Sequence, residues 1–160
     1  MARVSMSPHV ARLRAAVGHE LIVLPSVSVL PVDASGRLLL VRPAGHDDGW
    51  HILGGAVDPG ESPAEAGVRE AREEIGVPVR LSALLGAFGG PDYEVTYPNG
   101  DRVAYVTIAY MASIVSGVPA ADGDELADIA WFEAASLPEA PLSRFARALL
   151  TACGYLVAAG

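Results

Sequence analysis

The sequence predicts a single mixed α/β domain, residues 1–160, in which helices cover a sheet. Its length suits one domain with a sizeable core. Hydrophobic residues make up 51% of the chain and charged residues 19%, which is typical of a compact folded protein. Strand-like apolar runs alternate with capped helical segments in the order α-β-β-α-β-β-β-α, and no repeat or domain boundary interrupts them.

The first third of the chain predicts one helix followed by paired strands. Ser7 as the N-cap, with a proline after it, predicts a helix over about residues 7–17. The apolar run 21–32 predicts one or two strands, and a short turn leads to a returning strand at 38–41, so the two runs resemble a hairpin. A short strand over residues 50–53 then leads into a turn made by a pair of glycines.

A capped amphipathic helix follows. Ser62 and Glu65 have the spacing of a capping box, and Gly76 ends the helix. One face carries carboxylates, and the opposite face carries small apolar residues that are expected to contact the core. These are Ala64, Val68, Ala71 and Ile75.

The second half of the chain predicts three strands, a hairpin tip and a final helix. An Asn-Gly pair marks the hairpin tip within residues 97–100, and an acidic loop covers residues 117–128. The strands are predicted over residues 79–88, 102–115 and 129–132, and the helix over residues 142–150.

Composition argues against several classes of protein. The formal net charge of −8 makes stable binding to long nucleic acids an unexpected property, but it permits small phosphate ligands that a metal ion can bridge. Cys153 is the only cysteine, which excludes an intrachain disulfide and fits a cytoplasmic location. The apolar run 21–32 contains prolines and serines and is too short to cross a membrane, so a buried strand is predicted.

Three glutamates of the central helix point to metal binding. Glu70, Glu73 and Glu74 stand at i, i+3 and i+4, within an arc of roughly 100° on one helix face. Like charges at this spacing destabilise a helix by roughly 0.2–0.5 kcal/mol per pair. A hard divalent cation, Mg²⁺ or Mn²⁺, would compensate them, because such ions prefer oxygen ligands. The alternative is a solvated helix in which Arg69 and Arg72 balance the glutamates, but it leaves the nearby glycine pair and capping box unexplained.

Residues 55–77 resemble the signature of the Nudix hydrolase (MutT-like) family. The signature is a glycine, a five-residue gap, a glutamate, a seven-residue gap, and then Arg-Glu-apolar-any-Glu-Glu-any-Gly-apolar. Its fixed positions are matched by Gly55, Glu61, Arg69, Glu70, Glu73, Glu74 and Gly76. A match of this length is far more specific than a lone short motif. The resemblance implies the family's α/β/α sandwich around a mixed sheet.

The same resemblance implies an activity and a set of roles. The activity is metal-dependent hydrolysis of a diphosphate linkage in a nucleoside diphosphate derivative, with water attacking phosphorus. By motif position, Glu73 and Glu74 are the main metal ligands, and Glu70 is a ligand or the general base. The carbonyl group of Gly54 supplies a further ligand, and Arg69 orients the carboxylates. The implied cofactor is Mg²⁺, with Mn²⁺ as a substitute.

The general base has a second candidate position, because some family members use the signature helix and others a carboxylate from a later loop. Here Glu125 in the acidic loop is the preferred candidate, and a solvated turn is the alternative. The carboxylates that the loop offers are Asp122, Asp124, Glu125 and Asp128.

Residues outside the signature supply candidate substrate contacts. Arg42 suits a phosphate group, although an ordinary strand-end charge is an equal alternative. Trp50 and Tyr97 are candidates for stacking on a nucleobase, with packing inside the protein as the alternative for each. His46 and His51 are interpreted as bystanders, because neither has a partner at ligand spacing in the sequence.

Two further activities stay open at this stage. One is a Nudix-fold module that binds or senses a nucleotide without turnover; such modules often lack a signature glutamate or carry an added domain. The other is isomerase chemistry on an isoprenoid diphosphate, which resembles a cysteine–glutamate pair, whereas Cys153 lies far along the chain. The expected partner is a small nucleotide, with ADP-ribose, nucleotide sugars, nucleoside triphosphates, dinucleoside polyphosphates and capped RNA ends all open. Dimerisation is common in the family, so a homodimer is admitted.

Overall fold

The computed structural model describes residues 6–158, and this part of the chain forms three α-helices and seven strands. The helices are α1 (Pro8–Val17), α2 (Pro63–Ile75) and α3 (Arg144–Ala152). The strands are β1 (Leu21–Pro31), β2 (Leu38–Pro43), β3 (Leu53–Ala56), β4 (Val79–Phe88), β5 (Glu94–Thr96), β6 (Arg102–Ile114) and β7 (Leu126–Phe132). Short 3-10 helices cover Pro91–Tyr93 and Ala134–Glu139. Within residues 6–158, no helix has the length and apolar character needed to span a membrane.

A mixed sheet forms the centre of the molecule. Its strands lie in the order β3-β1-β6-β4, and β5 is a further partner of β6. β1 and β6 run parallel, whereas β1 with β3, β4 with β6 and β5 with β6 are antiparallel. β2 and β7 form a separate antiparallel pair. The predicted mixed α/β fold is therefore confirmed.

The predicted hairpin between the runs that form β1 and β2 is wrong. The turn itself forms, since the Asp33 N–H donates to the carbonyl of Arg37 at 3.0 Å. However, a single isolated bridge, Val32 to Leu38, is all that links the two runs as strand partners. The reason is that β3 pairs along one edge of β1 and β6 along the other, which leaves β2 to pair with β7.

Three predicted boundaries also shift. The strand expected at residues 50–53 lies at Leu53–Ala56, so the two glycines sit within a strand and not in a turn, because both pair with the backbone of β1. β7 begins at Leu126, inside the predicted acidic loop, and α3 begins after Ser143, which caps its first turn. The remaining predicted helix, strands and hairpin tip agree with the structure to within two residues.

The capping box at the start of α2 is confirmed. The Ser62 Oγ accepts the Glu65 N–H at 3.2 Å, and the Ser62 N–H donates to Glu65 Oε2 at 2.7 Å. At the other end, Gly76 adopts a left-handed conformation with φ of 71°. Local sequence signals thus define both ends of the helix that carries the candidate ligands.

Helix α2 packs closely on the sheet because its inner face is made of small residues. Of the four predicted core contacts, Ala71 and Ile75 are fully buried. Ala64 and Val68 are half-buried. Ala66 and Gly67 are buried as well. A Cβ atom at Gly67 would lie 3.2 Å from the Cγ2 atom of Val29 in β1, so a larger residue would push the helix away.

The opposite face of β1 packs beneath α3. Val27 and Val29 contact the α2 side, while Leu30 belongs to a second buried cluster with Leu150 of α3. Successive side chains of a strand point to opposite faces of a sheet. Helices therefore cover both faces, which is the α/β/α arrangement that the family resemblance implies.

Candidate active site

Strand β3 and helix α2 meet at two glycines. A Cβ atom at Gly54, whose φ is 151°, would lie 2.0 Å from the carbonyl oxygen of Val27. A Cβ atom at Gly55 would lie 2.4 Å from Oε1 of Glu70. Gly54 requires glycine, because a side chain would occupy the space of the neighbouring strand, whereas a side chain at Gly55 would displace the Glu70 carboxylate.

The carboxylates of Glu70 and Glu74 lie close together at this junction. The Glu70 side chain is 13% exposed, and Glu74 is partly exposed yet densely surrounded by protein. The N–H of Gly54 lies 3.4 Å from Oε2 of Glu74, which is a long hydrogen bond. Burial raises the pKa of Glu70, and it raises the pKa of Glu74 well above 4.5, with the negative charge of Glu70 as the second cause. Two carboxylates thus share a site in which ionisation of both is unfavourable.

The acidic loop contributes a third carboxylate, that of Glu125. Its negative charge helps to raise the pKa of both Glu70 and Glu74, so it lies on the same side of the molecule. Its own pKa is raised, mainly by burial and then by the charges of Asp122 and Glu73. Asp122 Oδ1 accepts the backbone N–H groups of residues 124, 125 and 126 at 3.0, 3.0 and 2.9 Å, which fixes the loop.

Arg69 compensates a different subset of carboxylates. Its Nε donates to Oε2 of Glu61 at 3.0 Å and its Nη2 to Oε1 at 2.6 Å, in a two-point contact. Its Nη1 donates to Glu70 Oε1 at 2.8 Å and to Glu73 Oε2 at 3.2 Å, and its Nη2 also reaches the carbonyl of Ala56 at 3.1 Å. These bonds lower the pKa of Glu61 and raise that of Arg69. Glu74 makes no such contact with Arg69 in the described structure.

The predicted ligand Glu73 lies at the rim of the cluster. Its side chain is 57% exposed, and its recorded partner is Arg69. Glu70 and Glu74 are more enclosed, and the N–H of Gly54 is adjacent to Glu74. The set of oxygen donors, with more negative charge than nearby cations balance, fits a hard divalent cation.

Within residues 6–158, none of the predicted substrate contacts forms a hydrogen bond or an ion pair with the signature glutamates. Arg42 pairs with Asp128 at 3.1 Å, and its guanidinium lies over the ring of Trp50, 5.1 Å from the centroid. Trp50 also packs edge-on against Phe132 at 5.2 Å, which supports the packing alternative. Tyr97 shares a hydrogen bond with the hydroxyl group of Tyr105.

Sequence reasoning missed two features near the site. Tyr105 lies close enough to Glu70 for that charge to add to the burial that raises the pKa of Tyr105. The interpretation that neither His46 nor His51 has a partner is wrong, because the fold brings both rings to Asp48. Their role as bystanders to the reaction stays a prediction. The Asp-Asp-Gly run between the two histidines, typical of a turn, was the available signal. Cys153 is the C-cap of α3 and is half-buried.

Comparison with known proteins links this geometry to one family. A family model described as "NUDIX domain" matches residues 23–153. A putative 8-oxo-dGTP diphosphatase of Bacillus subtilis (strain 168) is 37% identical over 89 residues, covering 56% of this chain and 53% of the relative. The NAD-capped RNA hydrolase NudC of Pseudomonas aeruginosa is 32% identical over 120 residues, covering 75% of this chain and 40% of the relative. The chain thus spans about half or less of the length of these relatives.

Solved structures agree with the sequence comparison. The crystal structure of a MutT NUDIX hydrolase from Burkholderia pseudomallei matches with a TM-score of 0.67 and 26% identity. The match covers 85% of this chain and 99% of that chain. The arrangement of strands and helices described above is therefore shared along nearly the whole of that protein.

Proposed function

The chain belongs to the Nudix family, and on that premise we propose that it is a metal-dependent pyrophosphohydrolase that cleaves a diphosphate linkage in a nucleoside diphosphate derivative. The observation that carries the proposal is the pairing of Glu70 and Glu74 at the junction of β3 and α2, with the charge of Glu125 from the acidic loop acting on both. Mutually repelling, partly buried carboxylates cost stability, and enzymes concentrate such groups where chemistry needs them.

Glu70, Glu73 and Glu74 are the proposed ligands of Mg²⁺ or Mn²⁺, together with the carbonyl group of Gly54. When bound, the cation would draw phosphate oxygens to the site and neutralise charge on the phosphoryl group under attack. Arg69 positions the ligands, because it anchors one edge of Glu70 and the exposed Glu73 from a fixed contact with Glu61.

Glu125 is the proposed general base, with Glu70 as the alternative. In the proposed reaction the oxygen of a water molecule bonds to phosphorus, the bridging P–O bond of the anhydride breaks, and the water proton passes to the carboxylate. The raised pKa of Glu125 suits a proton acceptor, since a base works best when its pKa approaches the working pH.

The proposed substrate is a small nucleotide derivative that carries an anhydride between phosphates. The two relatives described above are named for 8-oxo-dGTP and for NAD-capped RNA. Both compounds contain an anhydride between phosphates, and they differ in the groups attached to it. Arg42 is the proposed phosphate contact, since its side chain is 46% exposed. Trp50 and Tyr97 stay predictions as base contacts, as do the cytoplasmic location and the homodimer.

The test is phosphate release from a panel of nucleoside diphosphate derivatives with Mg²⁺ or Mn²⁺. Glu74→Gln, which keeps the size of the side chain and removes its charge, is expected to lower turnover by at least about 100-fold. Glu139→Gln, an exposed glutamate of a 3-10 helix, is the matched control and should retain wild-type turnover.

Two outcomes would contradict the proposal. Undiminished turnover by Glu74→Gln would remove Glu74 from the reaction. Tight nucleotide binding without hydrolysis of any substrate in the panel, by folded protein with metal present, would instead favour the nucleotide-sensing module.

A further inference from the structure

The segment that joins β2 to β3 brings together three metal-ligating side chains that are distinct from the glutamates of α2. His51 Nε2 lies 2.7 Å from Asp48 Oδ1, and His46 Nδ1 lies 4.0 Å from the same oxygen. One ligand atom from each of the three side chains lies within 4.8 Å of the others. The imidazole rings meet edge-on with centroids 5.8 Å apart. Two imidazoles therefore converge on one carboxylate oxygen.

The backbone of this segment is held in place by the rest of the fold. A Cβ atom at Gly49, whose φ is 98°, would lie 2.1 Å from the carbonyl oxygen of Pro141, so this approach requires glycine. The Trp50 N–H donates to that same carbonyl group at 2.7 Å, and the His51 N–H donates to the carbonyl of Val41 at 2.7 Å. The backbone of residues 49–51 is therefore fixed by the rest of the fold before any ion binds.

The three side chains differ in their exposure to solvent. The side chains of His46 and His51 are 16% and 23% exposed, whereas that of Asp48 is 57% exposed. His46 also packs edge-on against Tyr97, with the ring centroids 6.4 Å apart. Neighbouring groups thus hold the rings, while the carboxylate faces solvent. An ion can enter from that side and keep water in its remaining positions.

We propose that His46, Asp48 and His51 form a second cation site that takes Zn²⁺, separate from the glutamates of α2. Imidazole nitrogen suits Zn²⁺ and similar borderline ions, whereas Mg²⁺ prefers oxygen. Zinc–ligand bonds of about 2.0–2.2 Å place tetrahedral ligand atoms about 3.3–3.6 Å apart. The two distances to Asp48 Oδ1, 2.7 and 4.0 Å, lie on either side of that range, so zinc binding requires small side-chain adjustments.

An ordinary turn explains only part of this arrangement. The hydrogen bond between His51 and Asp48 is what a turn alone would produce. His46 has no such bond through its ring nitrogens within residues 6–158, yet its Nδ1 faces the same carboxylate from a mostly buried position. A cation between the three groups would satisfy both histidines and the carboxylate together.

The test is zinc titration of untagged, metal-stripped protein with Mg²⁺ in excess, followed with a competing chromophoric chelator. Co²⁺ absorption in the visible range serves as an independent report of nitrogen ligation. The variants are His46→Gln and His51→Gln, with His9→Gln as the matched control because His9 lies on α1. Asp48→Asn, at an exposed position, is a second variant that removes the charge with little effect on folding.

Wild-type protein is expected to bind one equivalent of Zn²⁺. Affinity should fall at least about 10-fold in His46→Gln, His51→Gln and Asp48→Asn, and should be unchanged in His9→Gln and in Glu74→Gln. Zinc binding that survives in both histidine variants, that disappears in Glu74→Gln, or that is absent from wild type would overturn the proposal. Because Glu74→Gln disables the site proposed for hydrolysis, failure of one proposal is distinguishable from failure of the other.

Discussion

Glu61 and Glu74 belong to the same signature and have the same side chain, yet their surroundings differ. Glu61 receives two hydrogen bonds from Arg69 and one from the backbone N–H of Asp58 at 2.9 Å, and its pKa is lowered. Glu74 receives one long bond from a backbone N–H, and its pKa is raised well above 4.5 by burial and by Glu70. The ionised carboxylate of Glu61 therefore stabilises the native state, whereas the ionised carboxylate of Glu74 destabilises it.

This difference shows which carboxylates of the cluster are compensated by a positive charge. The guanidinium group of Arg69 is committed to Glu61, Glu70, Glu73 and a backbone carbonyl group, which leaves little capacity for Glu74 and Glu125. Negative charge therefore remains uncompensated on the side that faces the acidic loop. We expect substitutions on that side to affect catalysis, and substitutions on the Glu61 side to affect stability.

The largest expected effect concerns Glu125 on the uncompensated side. Glu125→Gln should lower kcat by about 100-fold or more if this carboxylate accepts the proton from water. Asp124→Asn, which alters the neighbouring exposed carboxylate, should leave kcat within about twofold of the wild-type value. Steady-state kinetics on the best substrate of the panel checks both. An unchanged kcat in Glu125→Gln would transfer the role of base to Glu70.

Arg69 supports the next comparison, because it holds the compensated side together. Arg69→Gln should lower the free energy of unfolding by about 2–3 kcal/mol, since it leaves the carboxylates of Glu61 and Glu70 without their main partner. Urea denaturation at neutral pH, compared with Arg72→Gln on the same helix, measures the effect. Equal stability of the two variants would show that the network around Arg69 adds nothing measurable.

Glu74→Gln should have the opposite sign in metal-free protein. An acid whose pKa is raised by folding binds more protons in the native state, so stability falls as pH rises above the ordinary value of 4.5. The variant should therefore match wild type near pH 4 and exceed it by roughly 1–2 kcal/mol at neutral pH. Thermal unfolding with and without Mg²⁺ is the measurement, and Mg²⁺ should stabilise wild type more than the variant. A destabilised variant at neutral pH would contradict the comparison.

The smallest effect is expected for Glu61→Gln. The pKa of Glu61 is lowered by folding, so its contribution is fully present above its ordinary value of 4.5 and is lost as pH falls through the native pKa. The variant should lose about 1 kcal/mol of stability at neutral pH and progressively less in acid. Unfolding curves between pH 3 and pH 7 test this (roughly the range of carboxyl titration). A pH-independent difference would argue that packing, and not the ion pair, is responsible.

Local and distant interactions account for what the sequence predicted and what it did not. The sequence predicts helix α2 correctly because the residues that begin and end it lie at its own two ends. Ser62 and Glu65 form the capping box at the start, and Gly76 ends the helix. The predicted pairing of β2 is wrong because its partner, β7, lies far along the chain. The residues of β2 carry no signal that β3 and β6 pair with the two edges of β1. Sequence pattern can identify a strand, but its neighbours are chosen by the whole sheet.

The candidate site follows the same rule. The facing of Glu70 and Glu74 follows from helical spacing, whereas the approach of Glu125 depends on a loop that is far away in sequence. The histidine cluster was missed although its members are near neighbours, because a turn and not a regular element brings His46 to His51. The roles assigned to these residues stay predictions until the variants above are measured.

A backbone hydrogen bond joins the loop that carries Glu125 to the segment that carries the histidines. The N–H of Ala44, in the segment that carries the histidines, donates to the carbonyl group of Glu125 at 2.9 Å. Any displacement of the Glu125 loop must either take the start of the histidine segment with it or break this bond. The bond thus couples the two segments, and while it holds, an ion that stiffened the histidine segment would also restrict the movement of the Glu125 carboxylate.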